Sequence, residues 1–213
     1  MENDRLTIAR KEYSFTLLAL ALALVAIHLF LYIYHYQLEE LPWLLRQLFD
    51  LDEENNIPTW YSSFLLLNNA FFLHIYSSRE GLLKKGYWKL LAFGFLLLSL
   101  DEVAGLHESL NTAIEMNWAI LGAILVMFVA VFFVPFLLAL PRRLALLFIL
   151  AGSLYFSGAI IVELLGEDLD IDTLTYAFTV SLEEGLEMVG AWVFLHVLLA
   201  EMDTEIGMKF TNQ

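Results

Sequence analysis

The chain has 213 residues, 60% of them hydrophobic and 15% aromatic, with a mean hydropathy of +0.69; soluble domains are roughly half apolar, so a soluble globular fold is excluded. The formal charge of -14 excludes a nucleic-acid partner, which needs a basic surface. The lack of cysteine excludes disulfides, thiolate metal sites and cysteine nucleophiles.

A transmembrane helix needs about 20 predominantly apolar residues. By that measure the sequence predicts an all-α, polytopic bundle forming a single domain over 1–213, with six spans: 13–36, 59–78, 87–111, 118–140, 143–165 and 173–200. The first span follows Arg10 and Lys11 as a signal peptide would. Its apolar run is too long for that role and no small-residue cleavage pattern follows, so an uncleaved anchor is expected. His28 and His35 fall on its outer half with Tyr32 between them.

Residues 38–51 then place Leu38, Leu41, Leu44, Leu45, Leu48 and Phe49 at helical spacing, with Pro42 suited to a first turn and Trp43 to an interface. This predicts a short amphipathic helix lying on the outer surface. In the second span Asn68 and Asn69 sit at mid-membrane depth and are expected to pair helices. The fifth span carries a small-residue seam of Gly152, Ser153, Ser157, Gly158 and Ala159, suited to close packing. His74 and His196, near the cytoplasmic ends, are expected to be ordinary hydrogen-bonded histidines.

Lys and Arg concentrate in cytoplasmic loops. With the N-terminus inside, Arg46 alone of the 11 basic residues falls outside, which predicts an even number of spans and both termini in the cytoplasm. The outer loops are then acidic, including Asp50, Asp52, Glu53, Asp170 and Asp172, and such a vestibule concentrates cations.

Seven carboxylates fall inside predicted spans: Asp101, Glu102 and Glu108 in the third, Glu163 in the fifth, and Glu183, Glu184 and Glu187 in the sixth. Ionisable groups at such depth are costly and generally functional. At 1.5 Å per residue Asp101 and Glu183 both lie about 15 Å below the outer boundary, and Glu108 and Glu163 within about 5 Å of it. In helical phase Asp101, Ala104 and Glu108 share a flank with His107 beside them, while Glu183 and Glu187 stack at i and i+4. The echo of Ser99-Leu100-Asp101-Glu102 in Ser181-Leu182-Glu183-Glu184, if it marks a 3+3 repeat, inverts the second copy as in many transporters.

Carboxylates with an occasional imidazole are the ligand set of a hard or borderline divalent cation such as iron, manganese, magnesium or calcium. The candidate ligands are Asp101, Glu102, His107, Glu108, Glu163, Glu183, Glu184 and Glu187, with Asp101, Glu183 and Glu187 central. The Asp-Glu-x-x-x-x-His-Glu and Glu-Glu-x-x-Glu strings resemble di-metal carboxylate bundles in type, but lack the Glu-x-x-His of the ferritin-like pattern. The first motif of prenyl-protein protease-like peptidases has Arg where Met188 stands, and the late His-x-x-x-His of ceramidase-like hydrolases is absent. Proton-linked or merely paired carboxylates are the alternatives to a metal.

Three functions fit this pattern. One is a metal-dependent membrane enzyme acting on a lipid or small lipophilic substrate, one a divalent-cation or proton-coupled transporter, and one an accessory subunit of a larger membrane complex. No acid lies below Glu187 in the inner half of any span, which favours a site over a conduit.

Overall fold

The computed structural model describes residues 10–79, 81–107, 109 and 117–206, and among these every regular element is helical. The seven helices are α1 (Arg10–Gln37), α2 (Trp43–Phe49), α3 (Ile57–Ser77), α4 (Lys85–Ala104), α5 (Trp118–Leu137), α6 (Arg142–Gly166) and α7 (Leu174–Ile206). Within α6 the residues Ser157–Val162 form a π-helical stretch.

Among the described residues four helices are long and apolar enough to cross a membrane: α1, α5, α6 and the Leu174–Met202 part of α7. This supports a multi-pass membrane protein. The expected second and third spans correspond to α3 and α4, which do not reach the same measure. Polar groups dilute them: Thr59, Ser62, Ser63, Asn68 and Asn69 in α3, and Lys85, Lys89, Asp101 and Glu102 in α4.

Helix α7 packs against α1, α3 and α6, and α4 packs on α3. Paired contacts show that chain neighbours run up and down. Ser63 hydrogen-bonds Ser99 at one end of the α3/α4 pair while Tyr76 meets the Trp88 ring at the other. In the α6/α7 pair Gly158 lies beside Glu183 and Phe148 stacks on Phe194 at 4.5 Å. Two amides fasten the centre, as expected, with that of Asn69 fully buried. Asn69 donates to the carbonyl of Ala191 across to α7, and Asn68 accepts from the Tyr13 hydroxyl of α1.

The hydrophobic core runs the length of the bundle, from Leu51 and Val180 near α2 to the far end of α7. Leu195, Leu198, Leu199 and Met202 of α7 are buried there with Trp88, and Trp88 meets Phe136 edge-on at 4.9 Å. The outward faces are apolar as well, with Phe30, Phe128, Met127 and Val131 exposed by about two thirds, as a lipid-facing surface requires. Helix α5 is the outermost. It touches the π-helical stretch of α6 through Ala119 and Gly122, the latter against Ile160.

Three expectations change in detail. The amphipathic segment is helical only over Trp43–Phe49, although Trp43, Leu44 and Leu48 do stand exposed on it. Helix α4 stops at Ala104, where Gly105 adopts a left-handed φ of 55° and its N–H caps the Asp101 carbonyl, so the helical phase used for 101–111 does not extend past Gly105. The two halves of the sequence echo also behave differently: the Ser99 hydroxyl bonds across to Ser63, whereas the Ser181 hydroxyl bonds back to Ala177 in its own helix.

The α6/α7 seam depends on a missing side chain. A Cβ on Gly190 would lie 2.5 Å from the Tyr155 nitrogen and 2.8 Å from the Ala151 oxygen, both backbone atoms that cannot step aside. Gly190→Ala should therefore destabilise the protein by about 1–3 kcal/mol, read as a lower unfolding temperature in detergent. Gly94→Ala, where a Cβ meets nothing within 4 Å, should leave that temperature unchanged or raise it.

Candidate functional site

The acidic residues meet at the end of the bundle that carries α2, and the local sequence explains how each is held. Asn117 caps α5, its Oδ1 accepting from the Ala119 N–H at 2.8 Å. That bond fixes the amide so that its Nδ2 donates to the Glu163 carboxylate at 3.3 Å. Glu163 directly follows the π-helical stretch, an insertion of the kind that recurs at functional sites because it re-aims the residues after it. Across the seam, Gly158 admits the Glu183 carbonyl and the Glu187 side chain at distances a Cβ would forbid. The carboxyls of Glu163 and Glu183 thereby come within hydrogen-bonding reach of one another. Both line a cavity of about 420 Å³ with Asn117, Tyr176 and Thr179.

The other candidate ligands find separate partners. His107 turns back onto Asp101, its N–H donating to Oδ1 at 3.1 Å and its Nδ1 lying 3.2 Å from Oδ2. Glu102 faces Ser62 of α3, and Glu187 faces Tyr155 of α6. Glu184 has Glu187 and Glu102 as its nearest charged neighbours. Glu108 lies outside the described residues.

Among the described residues no group of three His, Asp or Glu side chains is disposed to hold a metal ion. The expectation of one or two ions held among these residues, with Asp101, Glu183 and Glu187 central, therefore finds no support in this arrangement. The early end of α4 sends Asp101 to His107, and Tyr155 engages Glu187. Glu163 and Glu183 are a pair of candidate ligands from different helices that lines an open cavity, while Glu102 of α4 faces Glu184 and Glu187 of α7 deeper in the bundle.

A second group of residues joins the outer half of α1 to the acidic loop after α2. Asp50 is buried, accepts from the Tyr32 hydroxyl, and lies 3.4 Å from the Nδ1 of His28. Asn56 fixes this loop by donating to the carbonyls of Gln47 and Asp50 while its Oδ1 caps α3 at Thr59. Asp52 accepts from the Tyr176 hydroxyl at 3.0 Å on both oxygens, joining the loop to α7. A polar cap followed by Pro58 at the start of an apolar run was the available sequence signal for an anchored loop.

Asp52 is an exposed residue, but the protein around its carboxyl desolvates it, and the charges of Asp50, Glu53 and Glu163 add to this against the Tyr176 bond. Its pKa is pushed up to about 6. A carboxyl raised in this way keeps its proton longer in the folded chain than in the unfolded one, where it titrates near about 4. Its contribution to stability is therefore full below about pH 4 and is lost as pH rises to about 6. Asp52→Asn should flatten the pH dependence of thermal unfolding across that window. The wild-type infrared spectrum should show a carboxyl band disappearing near pH 6 that the variant lacks.

No curated protein and no solved structure matches the chain. A family model matches residues 17–202, from near the start of α1 to Met202 of α7, and so takes in both groups of acids. The chain belongs to the family described as Domain of unknown function (DUF8692).

Proposed function

We propose that this is an integral membrane protein in which all six long helices cross the bilayer with both chain ends in the cytoplasm, and that Glu163 and Glu183 bind a hard divalent cation serving a reaction on a lipid or lipophilic substrate. The observation that carries this reading is the contact between the two carboxyls at the wall of an open cavity. Two carboxylates that touch in a half-buried place cannot both remain charged without a shared counter-charge. No Lys or Arg is ion-paired with either among the described residues, so a proton or a cation fills that role.

Magnesium or manganese suits the position best of the four ions considered, because such ions keep several waters and need only one or two carboxylates from the protein. Iron and calcium would draw on more ligands. The Asn117 amide holds Glu163 in place, as an outer partner orients a ligating carboxylate. A bound ion of this class lowers the pKa of its water and polarises an adjacent oxygen. The protein's own part is to fix the pair, admit substrate through the cavity, and exclude water below it.

Packing on the far side of the acids favours a site over a transport path. Beyond Glu187 the inward face of α7 is Met188, Ala191, Leu195, Leu198 and Met202, all buried at 3% or less. That layer closes the route to the opposite end.

Purified protein should bind one Mn²⁺ per chain, detected by electron paramagnetic resonance or by elemental analysis after dialysis. Glu183→Gln and Glu163→Gln should each weaken retention at least about tenfold, as loss of one ligand does, with unchanged helix content and elution volume. Equal manganese content in wild type and the double variant would overturn the reading.

A further inference from the structure

A separate cavity of about 170 Å³ lies between α1, α2 and the start of α7. It is smaller than the roughly 300–1,000 Å³ of sites for drug-sized ligands, so its scale is that of a headgroup. Its position sets its depth. Helix α2, which contributes Trp43 and Arg46 to its wall, turns Trp43, Leu44 and Leu48 outward at 64%, 69% and 43% exposure. A helix with that face lies at the boundary between headgroups and acyl chains.

The lining carries two kinds of recognition. Tyr36, Trp43 and Tyr176 offer aromatic rings beside the carboxylates of Asp50 and Asp52. Aromatic faces combined with acids bind an organic cation that keeps little hydration, a quaternary ammonium above all. The same wall holds two donors. His28 is 1% exposed, and its Nδ1 accepts the Leu51 N–H at 3.0 Å, which leaves the proton on Nε2, with the Ala177 carbonyl beside the ring. The Nε of Arg46 is buried without a hydrogen-bond partner. A buried donor left unsatisfied costs about 1–3 kcal/mol, so an acceptor is missing from the picture.

We propose that this cavity binds a phosphocholine group, with its trimethylammonium against Tyr36, Trp43, Tyr176 and the two aspartates, and its phosphate beside Arg46 and His28. A bare metal ion would leave the aromatic faces and both donors unused. A purely anionic headgroup would face Asp50 and Asp52 without compensation. The lipid phosphatidylcholine and free phosphocholine present the same group, and the bilayer-level position of α2 makes the lipid the natural source.

The site does not rest on the cation reading, and it is tested with EDTA present so that the two can fail separately. Protein purified in a maltoside detergent is offered equal amounts of phosphatidylcholine, phosphatidylethanolamine and phosphatidylglycerol with identical chains, and retained lipid is counted by native mass spectrometry. Phosphatidylcholine should be retained at least about fivefold over the other two. A Tyr36→Ala, Trp43→Ala variant should lose that preference, since each ring contributes about a two- to tenfold effect. Arg46→Gln should lower retention while keeping the order of the lipids. Displacement by soluble phosphocholine would show that the headgroup suffices, and its failure beside an intact lipid preference would assign the site to the lipid. Equal retention of the three lipids by wild type, or a preference unchanged in the double aromatic variant at an unaltered unfolding temperature, would overturn the proposal.

Discussion

Helix α7 carries Glu183, Glu184 and Glu187 through the middle of an apolar bundle in which the basic residues lie elsewhere. Each acid must therefore be satisfied by something other than a salt bridge, because an uncompensated carboxylate at that depth costs several kcal/mol. The structure does this in pairs. Glu183 reaches Glu163, Glu187 reaches Tyr155, and Glu102 of the neighbouring α4 reaches Ser62. Every one of these contacts crosses between helices, so the acids hold the bundle together as much as they burden it.

Those contacts require α6 and α7 to lie closer than ordinary side chains allow. Gly158 and Gly190 provide the approach at two levels of the seam, one beside the Glu183 carbonyl and one beside the backbone of Tyr155. The π-helical stretch between them and Glu163 then rotates the end of α6 so that Glu163 faces the α7 acid and the Asn117 amide together. In a regular helix the residue after Val162 would point about a quarter turn away, given 100° per residue. Close packing and the local irregularity thus serve the same acid pair.

Much of this was legible in the chain. Long apolar runs marked six long helices, although α4 ends seven residues before the expected 111 and α7 runs six past 200, and the exposed face of 43–49 was readable from leucine spacing. The amides of Asn68 and Asn69 were correctly expected to join helices. What escaped was whatever depends on a single backbone departure. The left-handed turn at Gly105 ends α4 before His107, and no periodicity reveals that His107 will fold back on Asp101. The π insertion in α6 leaves no mark in hydropathy, since Ile160, Ile161 and Val162 read as ordinary span. The roles of Tyr32, Tyr155 and Tyr176 were hidden for a different reason. A tyrosine inside an apolar run looks like core until its hydroxyl is seen to meet an acid.

The two cavities share a wall of Ile171, Tyr176 and Val180. Tyr176 lines both of them, and its hydroxyl is tied to Asp52 in the loop that Asn56 anchors to α2 and α3. On one side of that ring lie Glu163 and Glu183, and on the other His28, Asp50 and Arg46. An occupant of the α2 cavity therefore sits against the same aromatic wall that bounds the acid pair. The asymmetry of the bundle points the same way. Its polar chemistry is gathered at the α2 end, where an interfacial helix exposes Trp43 and Leu44, while Leu195, Leu198, Leu199 and Met202 seal the other. A pathway for ions would need polar groups along the whole of α7, and a reaction centre working at the bilayer surface needs them at one end only.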